Sequence, residues 1–365
     1  MRTGRRLWQA ILSLALITAF SGFPAQAQDK PAEPGLNAAT FKGLELRNIG
    51  PSVTSGRIAD IVIHPENRAV WYVAVGSGNV WKTSNAGTTW ETIFDNEGSY
   101  SIGAIALDPS DANTVWVGTG ENVSGRHVGF GDGVYRSRDG GKSWENLGLK
   151  ESEHIGMIRV HPEDSNTVYV AAQGPLWSGG GDRGLFKTTD GGETWENILS
   201  GGDYTGVSEV HMDPRDPDTL YAVKWQRLRT VAALMDGGPE TGIYKSTDGG
   251  KNWRHLTEGL PKQAMGKTGL AVSPVNPDVV YATIELENRT GGFWRSENAG
   301  ESWEKRNDYL SSGTGPHYYQ ELFASPHEFD RVYQADVWMH TTADGGKTME
   351  KLPTSARHSD HHALA

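Results

Sequence analysis

Six copies of one short motif constrain this chain more than any other feature. They read TSNAGTTW at 83–90, SRDGGKSW at 137–144, TTDGGETW at 188–195, STDGGKNW at 246–253, SENAGESW at 296–303 and TADGGKTM at 342–349. Their starts lie 54, 51, 58, 50 and 46 residues apart, a period that specifies stacked supersecondary units. Each copy is a tight turn between two strands. Asp139, Asp190, Asp248 and Asp344, or Asn85 and Asn298 in their place, can accept hydrogen bonds from the turn's own N–H groups. Gly87, Gly141, Gly192, Gly250, Gly300 and Gly346 supply positive φ. The closing Trp covers the turn, and Met349 weakens that cover in the sixth copy.

A second motif repeats in register with the first. The runs IVIHP, IALDP, IRVHP, VHMDP, LAVSP and LFASP, ending at Pro65, Pro109, Pro162, Pro214, Pro274 and Pro326, are short buried strands with a stop signal. An aliphatic-aromatic pair follows each (Val70-Trp71, Val115-Trp116, Val168-Tyr169, Leu220-Tyr221, Val280-Tyr281, Val332-Tyr333), and then an aromatic-basic strand such as VYRS, LFKT or IYKS. Four strands per unit with Gly-rich punctuation specify an all-β protein, a β-propeller of four-stranded blades. Six complete blades run from about Gly56 to Lys351, and His361 to Ala365 begins the innermost strand of a seventh. The expectation is a truncated propeller, incomplete at its C-terminus, with further domains possible beyond Ala365. The alternative is a six-bladed ring patched by Leu44 to Ile49.

Residues 1–27 read as a signal peptide: Arg2, Arg5 and Arg6, an apolar core from Leu7 to Phe20, and Ala25-Gln26-Ala27 as the cleavage site. Residues 28–40, with Pro31, Pro34 and Gly35, read as a disordered leader, and 41–365 as the propeller. The expected location is periplasmic or extracellular. The apolar run is too short for a membrane span. Loss of the three signal-peptide arginines moves the net charge from -11 to -14, which excludes nucleic acid as the expected partner. The chain has no Cys, so disulfides and thiolate chemistry are excluded, and no cofactor is expected.

The turn motif resembles the Asp-box, or bacterial neuraminidase repeat. The opening FKGLELRNIGPSVTSGRIADIVIHP, with VGTGEN and GDGVYRSRDGGKSW, is similar to exported sortilin-like propeller proteins, often labelled glycosyl hydrolases. The resemblance covers residues 41–365. It implies a binding role, since sortilin-like receptors take peptides or proteins. It equally implies an enzyme, since Asp-box propellers include sialidases and xyloglucan-degrading hydrolases. Photosystem assembly factors add a scaffold. One architecture hosts all three.

Candidate chemistry belongs on the face where the innermost strands start. Asp60, Glu209 and Glu321 stand five residues before the strand-ending Pro and are the catalytic candidates for glycoside hydrolysis, which needs two facing carboxyl groups. By strand alternation, Asp60 is displaced one residue from the Asp that xyloglucan-degrading enzymes carry before Gly, and so faces the other side. The Phe/Tyr-Arg-Ile-Pro opening of sialidases has only Gly56-Arg57-Ile58-Ala59 as its nearest match. The binding candidates are Arg57, Glu121, Arg126, His154, Trp177, Trp225, Arg227, Tyr319 and His361, drawn from strand starts and from long loops at 120–132, 173–182 and 224–240. Asp360, His361 and His362 form a weak metal candidate, because adjacent His residues on a strand point apart. The plain alternative is a ring of salt bridges around a water-filled channel. The function expected is binding of a protein, peptide or glycan on the loop-rich face, with glycan cleavage as the alternative.

Overall fold

A computed structural model describes residues 56–311, 315–318, 321–355 and 358–365. The expected signal peptide at 1–27, the expected leader at 28–40 and the segment Leu44 to Ile49 lie outside these residues. Six four-stranded antiparallel sheets follow one another, each in simple sequence order from an innermost to an outermost strand. Blade 1 comprises Ile58–Ile63, Trp71–Val75, Asn79–Thr83 and Glu91–Thr92; blade 6 comprises Leu322–Ala324, Val332–Gln334, His340–Thr342 and Glu350–Lys351. The outermost strands span two to four residues, which leaves little edge to pair with other chains. Among the described residues there is no α-helix, and no helix is long and apolar enough to cross a membrane. No seventh four-stranded sheet forms among them; the loop at 228–238 adds two small two-stranded pairings, Leu228–Arg229 with Leu234–Met235 and Gly237–Gly238 with Met265–Gly266.

The turns have the expected chemistry. In blade 2, Asp139 Oδ1 accepts from Lys142 N and Ser143 N, each at 2.9 Å, and Ser137 Oγ accepts from Gly141 N at 2.8 Å. Trp90, Trp253 and Trp303 donate their indole N–H back to the turn glycine carbonyl. Trp144 and Trp195 instead reach the previous blade, donating to Ile93 O and Leu147 O at 2.7 and 2.8 Å.

The aromatic-basic repeat joins blades. A Lys or Arg in the third strand of blades 1 to 5 stacks on an aromatic of the second strand and reaches the next blade. Lys82, Lys187 and Lys245 donate to the carbonyls of Gly140, Gly249 and Ala299 at 2.8, 2.9 and 2.7 Å. Arg136 donates to Gly191 O. Arg295 pairs with Asp330 at 2.8 Å at the start of the sixth hairpin. The cations lie 5.2 to 6.0 Å from the ring centres of Tyr72, Trp116, Tyr169, Tyr221 and Tyr281. In blade 1 the pair is therefore Trp71-Tyr72 rather than Val70-Trp71: Tyr72 faces Lys82 in register, as Tyr169 faces Lys187. An apolar cluster fills each of these five seams, for example Tyr72, Phe94, Ile105 and Val117 between blades 1 and 2, and Tyr281, Phe293, Leu322 and Val332 between blades 5 and 6.

Innermost strands of blades 1 to 4 each carry one extra residue at the same place: Ala59, Gly103, Gly156 and Ser208. Such bulges re-aim the residue that follows. Counting by twos along the strand therefore does not fix the direction of Asp60.

Candidate functional site

Loops from three blades and the segment leading into blade 6 are braced together on the face where innermost strands begin. Ser124 N donates to His317 O at 3.0 Å, Arg229 N to Leu176 O at 2.9 Å, and Arg229 Nη1 to Ser124 O at 2.6 Å. Val123, Val128 and Leu176 form a small apolar core beneath, against which Trp177 and Tyr318 pack. These bonds span blade 2, blade 3, blade 4 and the entrance to blade 6, so the loops form one surface.

Arg57 organises part of that surface. Its guanidinium pairs with Glu121, lies 2.9 Å from His127 Nε2, and sits 5.3 Å from the centre of the Tyr318 ring. Glu121 is 1 % exposed; burial raises its carboxyl, and the Arg57 charge opposes that rise. Arg126 and His127 are exposed beside this group, and Trp177 is half-buried. Tyr319 lies outside the described residues.

Three further binding candidates are buried as Glu121 is. Trp225 is 1 % exposed, and its indole N–H donates to Asp236 O at 3.3 Å. Arg227 is wholly buried and donates to Gly174 O at 3.0 Å and Ser124 Oγ at 3.3 Å. The sequence places both on an exposed loop, but the second strand of blade 4 continues through Gln226 and draws them under the cap. His154 is buried, with Nδ1 2.7 Å from Glu121 O; burial and then the Arg227 charge push it down to about 3, so it is neutral. These three lie beneath the surface, bonded to the loops that form it.

The catalytic candidates share a channel of ≈ 780 Å³ lined by Asp60, Arg159, Glu209, His211, Glu321 and His362 among others. Each acid already has partners. Asp60 accepts from Ile61 N at 2.8 Å and from Ile105 N of the next blade at 3.1 Å. Burial pushes its carboxyl up to about 6 against the pull of those N–H groups and Arg159. Glu209 accepts from Leu270 N of the next blade at 2.9 Å and lies 3.0 Å from His211 Nε2. Glu321 pairs with Lys267 at 2.8 Å.

The C-terminal candidates do not converge. Asp360 N and His361 N donate to Val337 O and Asp336 O at 2.9 and 3.0 Å, while His362 is buried and pushed down to about 4 by that burial. Among the described residues no three His, Asp or Glu groups are placed to hold a metal ion.

One acid pair escaped the sequence reading. Asp236, in the long loop of blade 4, meets Glu285 at the end of the second strand of blade 5. Burial raises both carboxyls, Asp236 the more because Glu285 lies against it. The nearby His317 Nδ1 is 3.8 Å from Asp236 Oδ2. Neither acid sits near a repeat landmark, so spacing gave no signal for them.

Known proteins are similar to this chain in sequence and in fold. A family model described as sortilin, neurotensin receptor 3, matches residues 132–290. A xyloglucanase of Hypocrea jecorina is 26 % identical over 302 residues, covering 74 % of this chain and 34 % of the enzyme. The chain thus spans about a third of that relative's length. Among solved structures, the GH74 xyloglucanase of Xanthomonas campestris superposes with a TM-score of 0.59 at 15 % identity, over 84 % of this chain and 47 % of that one. The protein YCF48 bound to D1 peptide superposes with a TM-score of 0.52 at 16 % identity, over 83 % of this chain and 84 % of that one. At such identities the superpositions establish the fold. The chain is thus a β-propeller similar to proteins of the sortilin and bacterial neuraminidase repeat type.

Proposed function

We propose that this propeller binds a protein, peptide or glycan ligand on its braced loop surface, around Arg57, Arg126, His127, Trp177 and Tyr318. One observation carries the reading. Loops of separate blades are tied into a single surface with exposed Arg126 and His127 beside half-buried Trp177 and Tyr318, while Asp60 and Glu209 are occupied in accepting the neighbouring blade's backbone N–H groups. The relative solved with a D1 peptide supports it. Residues 1–27 act as an export signal in this reading, and N-terminal sequencing of the mature protein should begin at Gln28.

Glycan cleavage is the second reading, favoured by the xyloglucanase likeness across 74 % of the chain and by three acids on one channel wall. The two separate in one experiment. The signal-free protein is offered xyloglucan, sialosides and other common glycans, with products read by mass spectrometry and the Glu209→Gln/Glu321→Gln double variant as control. Cleavage lost in that variant establishes the enzyme. No cleavage, together with retention of a ligand that Trp177→Ala and Arg126→Ala weaken, establishes the binder.

A further inference from the structure

Among the described residues the most exposed large apolar side chain is Val231, at 88 %. It tips a hairpin in the long loop of blade 4, where Leu228–Arg229 pairs with Leu234–Met235. Residues 230–235 read TVAALM, without a charge, and 230–234 are all exposed. Exposed strands are commonly blunted by charged side chains, and this end carries none. It is also not a loose loop. Thr230 N donates to Ala233 O at 2.8 Å, and Ala233 N donates to Thr230 Oγ1 at 2.9 Å, so the turn satisfies part of its own backbone. Arg229 N donates to Leu176 O, and Gly237–Gly238 pairs with Met265–Gly266, which fixes both legs to neighbouring segments.

The surroundings continue the apolar character. Arg227 N donates to Tyr204 O at 2.9 Å and Gly180 N to Asp203 O at 2.8 Å, so the loops at 173–182 and 200–204 stand against the base of the hairpin. They present Tyr204, 39 % exposed, and half-buried Trp177. Arg126 is exposed and near enough for its charge to act on Arg229 at the hairpin's base. A contiguous apolar patch of this kind marks an interaction site. An apolar projection flanked by Tyr, Trp and Arg suits a lipid–water boundary, where aromatic rings settle at the headgroup level and a cation meets phosphate. The dimension fits as well. Extended chain from the Leu228–Met235 pair to Val231 reaches about 10 Å, and interfacial elements penetrate about 5–10 Å. Charge selects the lipid. A chain of net charge -11, with exposed Asp203 beside Tyr204, is repelled by an anionic bilayer, whereas a zwitterionic one still offers phosphate to Arg126.

We infer that the hairpin tip at 230–234 docks on a zwitterionic lipid bilayer, with Val231 and Leu234 in the boundary between headgroups and acyl chains and Arg126 against lipid phosphates. This goes beyond the ligand-binding reading and does not need it, because neither Val231 nor Leu234 belongs to the group around Arg57. The rigid base of the hairpin lets the tip insert without unfolding the loop surface.

The chain has no cysteine, so Val231→Cys carries a polarity-sensitive fluorescent label at one known place. The labelled 365-residue chain is mixed with vesicles of phosphatidylcholine and phosphatidylethanolamine, alongside a chain labelled through Lys142→Cys in the exposed blade 2 turn. Comparing the two labels separates insertion of the tip from attachment through the apolar run near the N-terminus. The expected result is brighter, blue-shifted emission from the label at residue 231 alone, quenched by spin-labelled lipids. Adding Leu234→Asp should weaken that vesicle response about tenfold with thermal unfolding unchanged. No response at residue 231, or equal responses at both sites, overturns the inference. A response that grows with protein concentration in the absence of vesicles, and that Leu234→Asp removes, gives the tip to a second copy of the chain and equally overturns it.

Discussion

Carboxyl groups in this protein fall into two classes whose pH responses have opposite sign. Asp248 in its turn is held down to about 2 by the Asn252 side chain first and then by backbone and Ser246 donors. A lowered group contributes stability above its unfolded value near 3.8 that is lost as pH falls toward 2. Asp60 is raised to about 6, chiefly by burial. Its folded form holds the proton more tightly, so the protein loses stability as pH rises from 3.8 to 6. Denaturant midpoints of Asp60→Asn should therefore fall less across pH 4 to 6.5 than those of the parent, and a parallel fall would show that Asp60 does not titrate there. Turn residues were legible in the sequence because Asp-Gly chemistry is local. Trp225 and Arg227 were not, because burial of a loop residue depends on which other loops close over it.

At the scale of strands, position along the repeat was readable and direction was not. The Pro-ended runs locate every innermost strand, yet nothing in IADIVIHP or VSEVHMDP announces the extra residue at Ala59 or Ser208. Those bulges send Asp60 and Glu209 to the N–H groups of Ile105 and Leu270. The aromatic-basic pair was visible as a pattern, but its purpose was not, since its acceptor lies in the next blade. Removing one clamp leaves a turn carbonyl without its charged donor. Lys187→Met should lower unfolding free energy by about 1–2 kcal/mol in denaturant melts, with the aromatic still packed. A change below about 0.3 kcal/mol would mean that water replaces the ammonium without loss.

For the whole molecule, the repeat made the all-β propeller legible from residues alone. The loop surface was legible only as long segments on one face. Its bracing, from Ser124 to His317 and from Arg229 to Leu176, joins residues more than fifty positions apart and has no periodic signature. Because the bracing is carried by buried Arg227 and Arg229, the surface should be rigid. Arg229→Met should speed hydrogen exchange at Ser124 and Leu176 before the blades themselves open; simultaneous opening of loops and blades would contradict a separately braced cap. The net charge of -11 surrounds this patch of Arg57, Arg126 and His127, so an anionic ligand should bind with a salt-sensitive association rate.

The binding role itself is tested most directly by presenting the immobilised signal-free protein with peptide and glycan arrays, side by side with its Trp177→Ala/Arg126→Ala variant. The account predicts ligands retained by the parent and lost by at least tenfold in a variant that unfolds at the parent's temperature. Equal retention by both proteins, or cleavage of an arrayed glycan that Glu209→Gln/Glu321→Gln abolishes, would contradict it.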